Sequence, residues 1–129
     1  MKYNTLNVLL VDDVKIILQK MKMFLSIVPQ VNQVSTANSA TEAFSCLQHS
    51  GHELVVLDVN MPGTSGIEIL QRIRKSEGPQ PVIVMLTNET GKHIREACMQ
   101  SGADYYLDKS KDFLQIPRII ESLASSKAA

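Results

Sequence analysis

Apolar residues fall along this chain in short blocks that alternate between two rhythms. Val8-Leu9-Leu10-Val11, Leu54-Val55-Val56-Leu57 and Val82-Ile83-Val84-Met85-Leu86 are unbroken runs, each bounded by polar or turn residues. Runs of that length predict strands buried on both faces, as in a parallel sheet. Between them the apolar positions spread to helical spacing, as at Val14, Ile17, Leu18, Met21 and Leu25. The pattern predicts strands over 7–11, 31–36, 53–57, 82–86 and 104–107. It predicts five helices: one carrying Val14 to Leu25, then about 40–49, 66–75, 90–100 and 113–124. Asn38 or Ser39 can cap the second, with Glu42 in its first turn. Gly51 and Ser101-Gly102 act as stops, and Met61-Pro62-Gly63 and Gly78-Pro79-Gln80-Pro81 as loops. Pro117 falls early in the last helix, where a missing N–H costs least.

Strict alternation of strand and helix predicts an α/β domain with a doubly wound, five-stranded parallel sheet. The expected strand order is 2-1-3-4-5, the flavodoxin-like arrangement, with residues 1–129 forming one domain. In that order strands 1 and 3 flank the topological switch point, and ligands bind beyond the carboxyl ends of the strands. The residues that end those strands are therefore the candidate chemistry.

Strand 1 runs into Asp12-Asp13, strand 3 into Asp58, strand 4 into Thr87, and Lys109 lies just past strand 5. Three carboxylates gathered on one rim repel one another, and a bound divalent cation removes that cost. All-oxygen ligands favour Mg²⁺, with Mn²⁺ also acceptable. Lys109 adds a point charge and Thr87 a hydroxyl donor. Cation, ammonium and hydroxyl together can neutralise the oxygens of a phosphoryl group, with a carboxylate among them serving as nucleophile. Asp58 is the central candidate.

Composition narrows the alternatives. The 129 residues carry 13 basic and 13 acidic side chains, so no bulk charge draws the chain to nucleic acid or anionic membrane. No apolar stretch reaches membrane-spanning length and no signal-peptide pattern opens the chain, which points to the cytoplasm. Cys46 and Cys98 lie among helix-forming residues and are expected as free thiols. His49 and His52 straddle a helix end and cannot by themselves fill a zinc site.

These pieces together resemble the receiver domain of bacterial two-component response regulators. The matching segments are Val8-Leu9-Leu10-Val11-Asp12-Asp13, Val55-Val56-Leu57-Asp58-Val59-Asn60-Met61-Pro62-Gly63, Gly66, Met85-Leu86-Thr87, Gly102-Ala103-Asp104-Tyr105-Tyr106-Leu107 and Lys109. The resemblance covers essentially the whole chain. It implies that Asp58 accepts a phosphoryl group from a histidine kinase or phosphotransfer protein. It implies that Asp13, Asp58 and the backbone carbonyl of Asn60 bind Mg²⁺, with Asp12 holding a metal-bound water. Thr87 and Lys109 would bind the phosphoryl group, and Tyr106 would be the switch aromatic, with Tyr105 a competitor by register. Asn60 and Glu89 would tune self-catalysed dephosphorylation, as in fast-cycling chemotaxis-type receivers. The output surface would be the fourth helix, fifth strand and fifth helix, contacting a protein target.

Two departures stand out: Ser110 follows Lys109 where the family often has proline, and Asn88 follows Thr87 where a small residue is usual. The segment Asp108-Lys109-Ser110 with Phe113 and Ile116 resembles stand-alone receivers, although a trimmed longer regulator fits as well. The expected assembly is a monomer or weak dimer. The implied role is a switch that catalyses only its own phosphorylation and dephosphorylation. A flavin carrier would need a phosphate-cradling loop where Asp12-Asp13 stands. An aspartyl-nucleophile phosphatase would need its two aspartates two residues apart.

Overall fold

The computed structural model describes residues 5–88 and 91–128. The elements run β1 (Leu6–Val11), α1 (Lys15–Ser26), β2 (Val31–Ala37), α2 (Ala40–His49), β3 (Leu54–Leu57), α3 (Gly66–Lys75), β4 (Val82–Thr87), α4 (Lys92–Gln100), β5 (Tyr105–Asp108), a 3₁₀ turn (Phe113–Gln115) and α5 (Ile116–Ala128). The strands form one parallel sheet in the order β2-β1-β3-β4-β5. The predicted architecture is the observed one.

Alternation along the strands divides the core into two layers. Val8, Leu10, Val56, Val84 and Leu86 face α1 and α5, meeting Leu18, Met21, Leu25, Ile116 and Ile120. Leu9, Val55, Leu57, Ile83 and Met85 face α2, α3 and α4, meeting Ala43, Ile69, Leu70, Ile73 and Cys98. Both faces of the central strands are dry, which explains why their sequences are unbroken apolar runs.

Local signals account for most boundaries. Ser39 is the N-cap of α2, its hydroxyl accepting the Glu42 N–H at 3.2 Å, while Glu42 Oε1 accepts the Asn38 N–H at 2.7 Å. Ser65 caps α3 by accepting the Ile67 N–H at 3.1 Å. Arg74 pins the far end of α3 to the neighbouring turns. Its guanidinium donates to the Gly102 and Pro81 carbonyls, to Gln80 and to Asp104, each at 2.9 Å.

Most predicted boundaries lie within a residue of the observed ones, and two elements carry consequences for the site. The last helix does not begin at Phe113 as a regular helix. Residues 113–115 form a 3₁₀ turn, and α5 proper runs from Ile116 to Ala128, beyond the predicted end at 124. The tighter turn lets Phe113 pack on Phe24, with ring centroids 5.2 Å apart. β5 is also shifted by one residue, ending on Asp108 rather than Leu107, because Asp108 pairs with Thr87 at the end of β4. The predicted start of the fourth helix at Thr90 lies outside the described residues.

Register carries the site. Val11 pairs with Leu57, and Leu57 with Met85. Asp12 and Asp58 therefore leave adjacent strands side by side, while Thr87 ends β4 and Lys109 follows the end of β5.

Candidate functional site

At the carboxyl rim of the sheet, Asp12, Asp13 and Asp58 each offer a carboxylate oxygen within 4.8 Å of the others. Asp12 is 1% exposed and Asp58 7%. Carboxylates are almost never buried so deeply unless paired, and here each has two kinds of partner. Asp12 Oδ1 accepts the Val14 N–H at 2.9 Å, and Asp58 Oδ1 accepts the Asn60 N–H at 3.2 Å. The remaining oxygens turn to one cation. Lys109 Nζ forms an ion pair with Asp12 Oδ2 and lies 3.3 Å from Asp58 Oδ2.

One ammonium does not neutralise three carboxylates. Burial pushes the Asp58 pKa above its ordinary 3.8; Lys109 and the Asn60 N–H oppose this, and Asp12 adds to it. Burial also works against the Lys109 charge, but Asp12 and Asp58 outweigh it and hold that ammonium above its usual 10.5. The rim thus has a deficit of positive charge, and a small divalent cation fits it. Hard carboxylate oxygens are the ligands Mg²⁺ takes, usually one or two of them with waters and a phosphoryl oxygen completing the shell.

The raised Asp58 pKa has a consequence for the metal-free protein. Between pH 3.8 and the raised value, the folded chain holds a proton that the unfolded chain has released. Stability therefore falls as pH rises through that window and stays lowered at neutral pH. Asp58→Asn, which mimics the uncharged form, should raise the urea midpoint at pH 7 in chelator. That gain should shrink as the pH is lowered through the window. An Asn variant no more stable than wild type at pH 7 would show that Lys109 fully compensates the charge.

Thr87 is fully buried at the end of β4, and its carbonyl accepts the Lys109 N–H at 2.9 Å. Asn60 stands exposed, two residues beyond Asp58. Tyr106 is half-buried on the α2-α3-α4 side of the sheet, with the Arg95 guanidinium 5.7 Å from its ring centre. Tyr105 points to the opposite face and is 38% exposed. Only Tyr106 shares a sheet face with Met85, its β4 partner. Glu89 lies outside the described residues.

Sequence reasoning noted Ser110 as a departure after Lys109 and gave Asp108 no role at the site. Asp108 Oδ1 accepts the Ser110 N–H at 2.8 Å, the Ser110 hydroxyl at 2.7 Å and the Lys111 N–H at 3.2 Å. Every peptide bond among the described residues is trans, Lys109–Ser110 included. The signal was present, since an Asp two residues before a Ser favours an Asx turn.

Sheet order and rim place the molecule among doubly wound α/β domains whose switch-point site is acidic. The chain matches the family model of the response regulator receiver domain over residues 8–121, and it belongs to that family. Phosphorylation on an aspartate is the general function of these domains. The chain is 32% identical over 120 residues to a nitrate/nitrite response regulator protein homolog of Haemophilus influenzae, covering 90% of this chain and 57% of that one. It is 29% identical over 122 residues to response regulator UvrY of Escherichia coli, covering 95% and 56%. The chain thus spans little more than half the length of these relatives. A two-component response regulator of the LuxR family from Aurantimonas superposes with a TM-score of 0.83 at 28% identity, covering 95% of this chain and 86% of that one.

Proposed function

We propose that residues 1–129 act as a single receiver domain in which Asp58 is the phosphoacceptor. The observation that carries this reading is the convergence of Lys109 on two buried carboxylates beside Asp13. Asp13, Asp58 and the Asn60 carbonyl would hold Mg²⁺, with Asp12 on a bound water; the ion supplies charge neutralisation for the transferring phosphoryl oxygens. The Asp58 carboxylate attacks phosphorus, an O–P bond forms, and the bond to the donor's histidine nitrogen breaks. Lys109 then exchanges its Asp58 contact for a phosphoryl oxygen. Thr87 donates its hydroxyl to another, and Tyr106 follows Thr87 inward. Asn60 and Glu89 set the rate at which water reverses the modification. The domain works on no substrate but its own Asp58.

The donor is a histidine kinase or phosphotransfer protein, acting in the cytoplasm where ATP supplies phosphoryl groups. Its approach is favoured by the apolar rim of α1, where Ile16, Met23 and Ile27 are 56%, 73% and 78% exposed at helical spacing. A shallow groove continues from Phe24 and Leu114 to Lys109 at the site itself. The target protein binds the face formed by α4, β5 and α5, where Met99 is exposed on α4 and Tyr105 lies exposed beside Arg118. Among the described residues no helix is long and apolar enough to cross a membrane. The balanced charge of the chain favours protein over nucleic acid as the direct partner, with the receiver itself a monomer or weak dimer.

An amide NMR titration with Mg²⁺ and beryllofluoride, a non-hydrolysing phosphoryl mimic, tests this. Shifts are expected to spread from Asp58 to Thr87, Tyr106 and α5 in the wild type and to be absent in Asp58→Asn. Silence in both proteins would remove the phospho-switch and leave a constitutive binding module.

A further inference from the structure

Lys109 sits just past the end of a strand, on a loop that must hold a flexible four-carbon side chain over two carboxylates. Something has to fix its backbone. One tie is its own N–H, bonded to the Thr87 carbonyl at 2.9 Å. The others come from its neighbours. The Asp108 carboxylate gathers the Ser110 N–H, the Ser110 hydroxyl and the Lys111 N–H onto a single oxygen. The Asp108 N–H donates to Asp112 Oδ2 at 2.8 Å, and the Asp112 N–H returns to the Asp108 carbonyl at 2.8 Å. The loop is closed on both sides of Lys109 by reciprocal bonds. These include charge-assisted bonds of the stronger kind.

We propose that Asp108, with Ser110, is a positioning residue for the phosphoryl-transfer site: its carboxylate shapes the loop that aims the Lys109 ammonium at Asp12 and Asp58. This rests on the phosphoacceptor reading of Asp58. The Ser110 bonds also hold the Asp108 carboxyl below the usual carboxylate range, so the acceptor is charged across the physiological range. Asp108 touches neither phosphoryl group nor metal; it acts through Lys109. The arrangement does with an Asx turn, and with trans peptides throughout, what a rigid ring after the lysine would do by restricting the backbone. Serine at 110 is then a functional choice, because proline there would lack the N–H that Asp108 accepts.

The test is the beryllofluoride concentration for half-saturation, in excess Mg²⁺, followed on the Asp58 and Thr87 amides of the full chain. Four proteins are compared with wild type: Asp108→Ala, Asp108→Asn, Lys109→Met and the Asp108→Ala/Lys109→Met double variant. Asp108→Ala should raise the half-saturating concentration roughly tenfold, the scale of a misplaced charged group. It should also speed hydrogen exchange at the Ser110 and Lys111 amides. Asp108→Asn keeps an acceptor oxygen in place and should stay within about threefold of wild type. In the Lys109→Met background, Asp108→Ala should add nothing. An undiminished penalty in that background would reveal a general structural role and overturn the inference, as would an Asp108→Ala variant that saturates like wild type. A wild type that ignores beryllofluoride would instead remove the phosphoacceptor reading, and this inference with it.

Discussion

Asp58→Asn is expected to abolish phosphoryl uptake from a small donor such as acetyl phosphate, with a loss of at least about a thousandfold. The substitution preserves shape, and an Asn Oδ1 can still accept the Asn60 N–H. What disappears is the carboxylate oxygen that must become the bridging atom of the acyl phosphate. The amide oxygen is a far weaker nucleophile, and its charge no longer helps to hold the cation. Neither Asp12 nor Asp13 replaces it. Asp12 is committed on both oxygens, to the Val14 N–H and to Lys109, and Asp13 stands farther out at a partly exposed position. Intact-mass measurement after brief exposure to donor and Mg²⁺ reads the uptake, and peptide mapping after borohydride reduction of the acyl phosphate locates it. A phosphoryl group on Asp12 or Asp13 at a rate near wild type would move the acceptor and require a new geometry for Lys109. Because the same variant is expected to be more stable than wild type without metal, loss of uptake cannot be blamed on unfolding.

Much of this was legible in the chain because the fold and the site use separable signals. Strand cores such as Leu54-Val55-Val56-Leu57 are buried on both faces, so burial alone writes them as unbroken runs. The residues that follow such runs reach the rim whatever the loops do, and in the 2-1-3-4-5 order strands 1 and 3 are neighbours. Asp12, Asp58, Thr87 and Lys109 could therefore be assigned to one site from order alone. What the sequence hid is what depends on loop conformation. The 3₁₀ turn at Phe113–Gln115 has no periodicity of its own and exists because Phe113 finds Phe24 of α1 on the same face of the sheet. Asp108 read as a residue just past the fifth strand, and although its spacing to Ser110 hints at an Asx turn, nothing local shows that one oxygen collects three donors. The sequence offered Lys109 as a phosphoryl ligand, and its ion pair with Asp12 could not be read beside that role. That pairing is a tertiary fact: it joins residues from opposite ends of the chain.

Gly66→Ala should be among the most damaging small substitutions in the molecule, although it places a better helix former at the first position of α3. Propensity alone would favour alanine by about 1 kcal/mol. Space decides the other way. A Cβ at position 66 would stand 2.0 Å from the Asp58 carbonyl oxygen, 2.9 Å from its carbon and 3.0 Å from Val59 Cα. These are backbone atoms, and neither side can retreat cheaply. The Asp58 N–H is bonded to the Val11 carbonyl at 3.0 Å, and the Gly66 N–H to the Val59 carbonyl at 2.9 Å. Overpacking of this kind outweighs the propensity gain and should leave a net destabilisation of about 2–4 kcal/mol. The strain falls on the proposed phosphoacceptor, so uptake by the folded fraction should also drop, by about tenfold or more. Gly51→Ala is the matching control: nothing lies within 4 Å of a Cβ there, and its effect should stay within about 0.5 kcal/mol. Urea midpoints for the three proteins, with uptake assayed well below each midpoint, separate the two losses. If Gly66→Ala matched wild type in both, the close approach of α3 to the Asp58 backbone would be absent in solution. If it lost stability but kept full uptake, the acceptor loop would be mechanically independent of α3, and the glycine would serve packing alone.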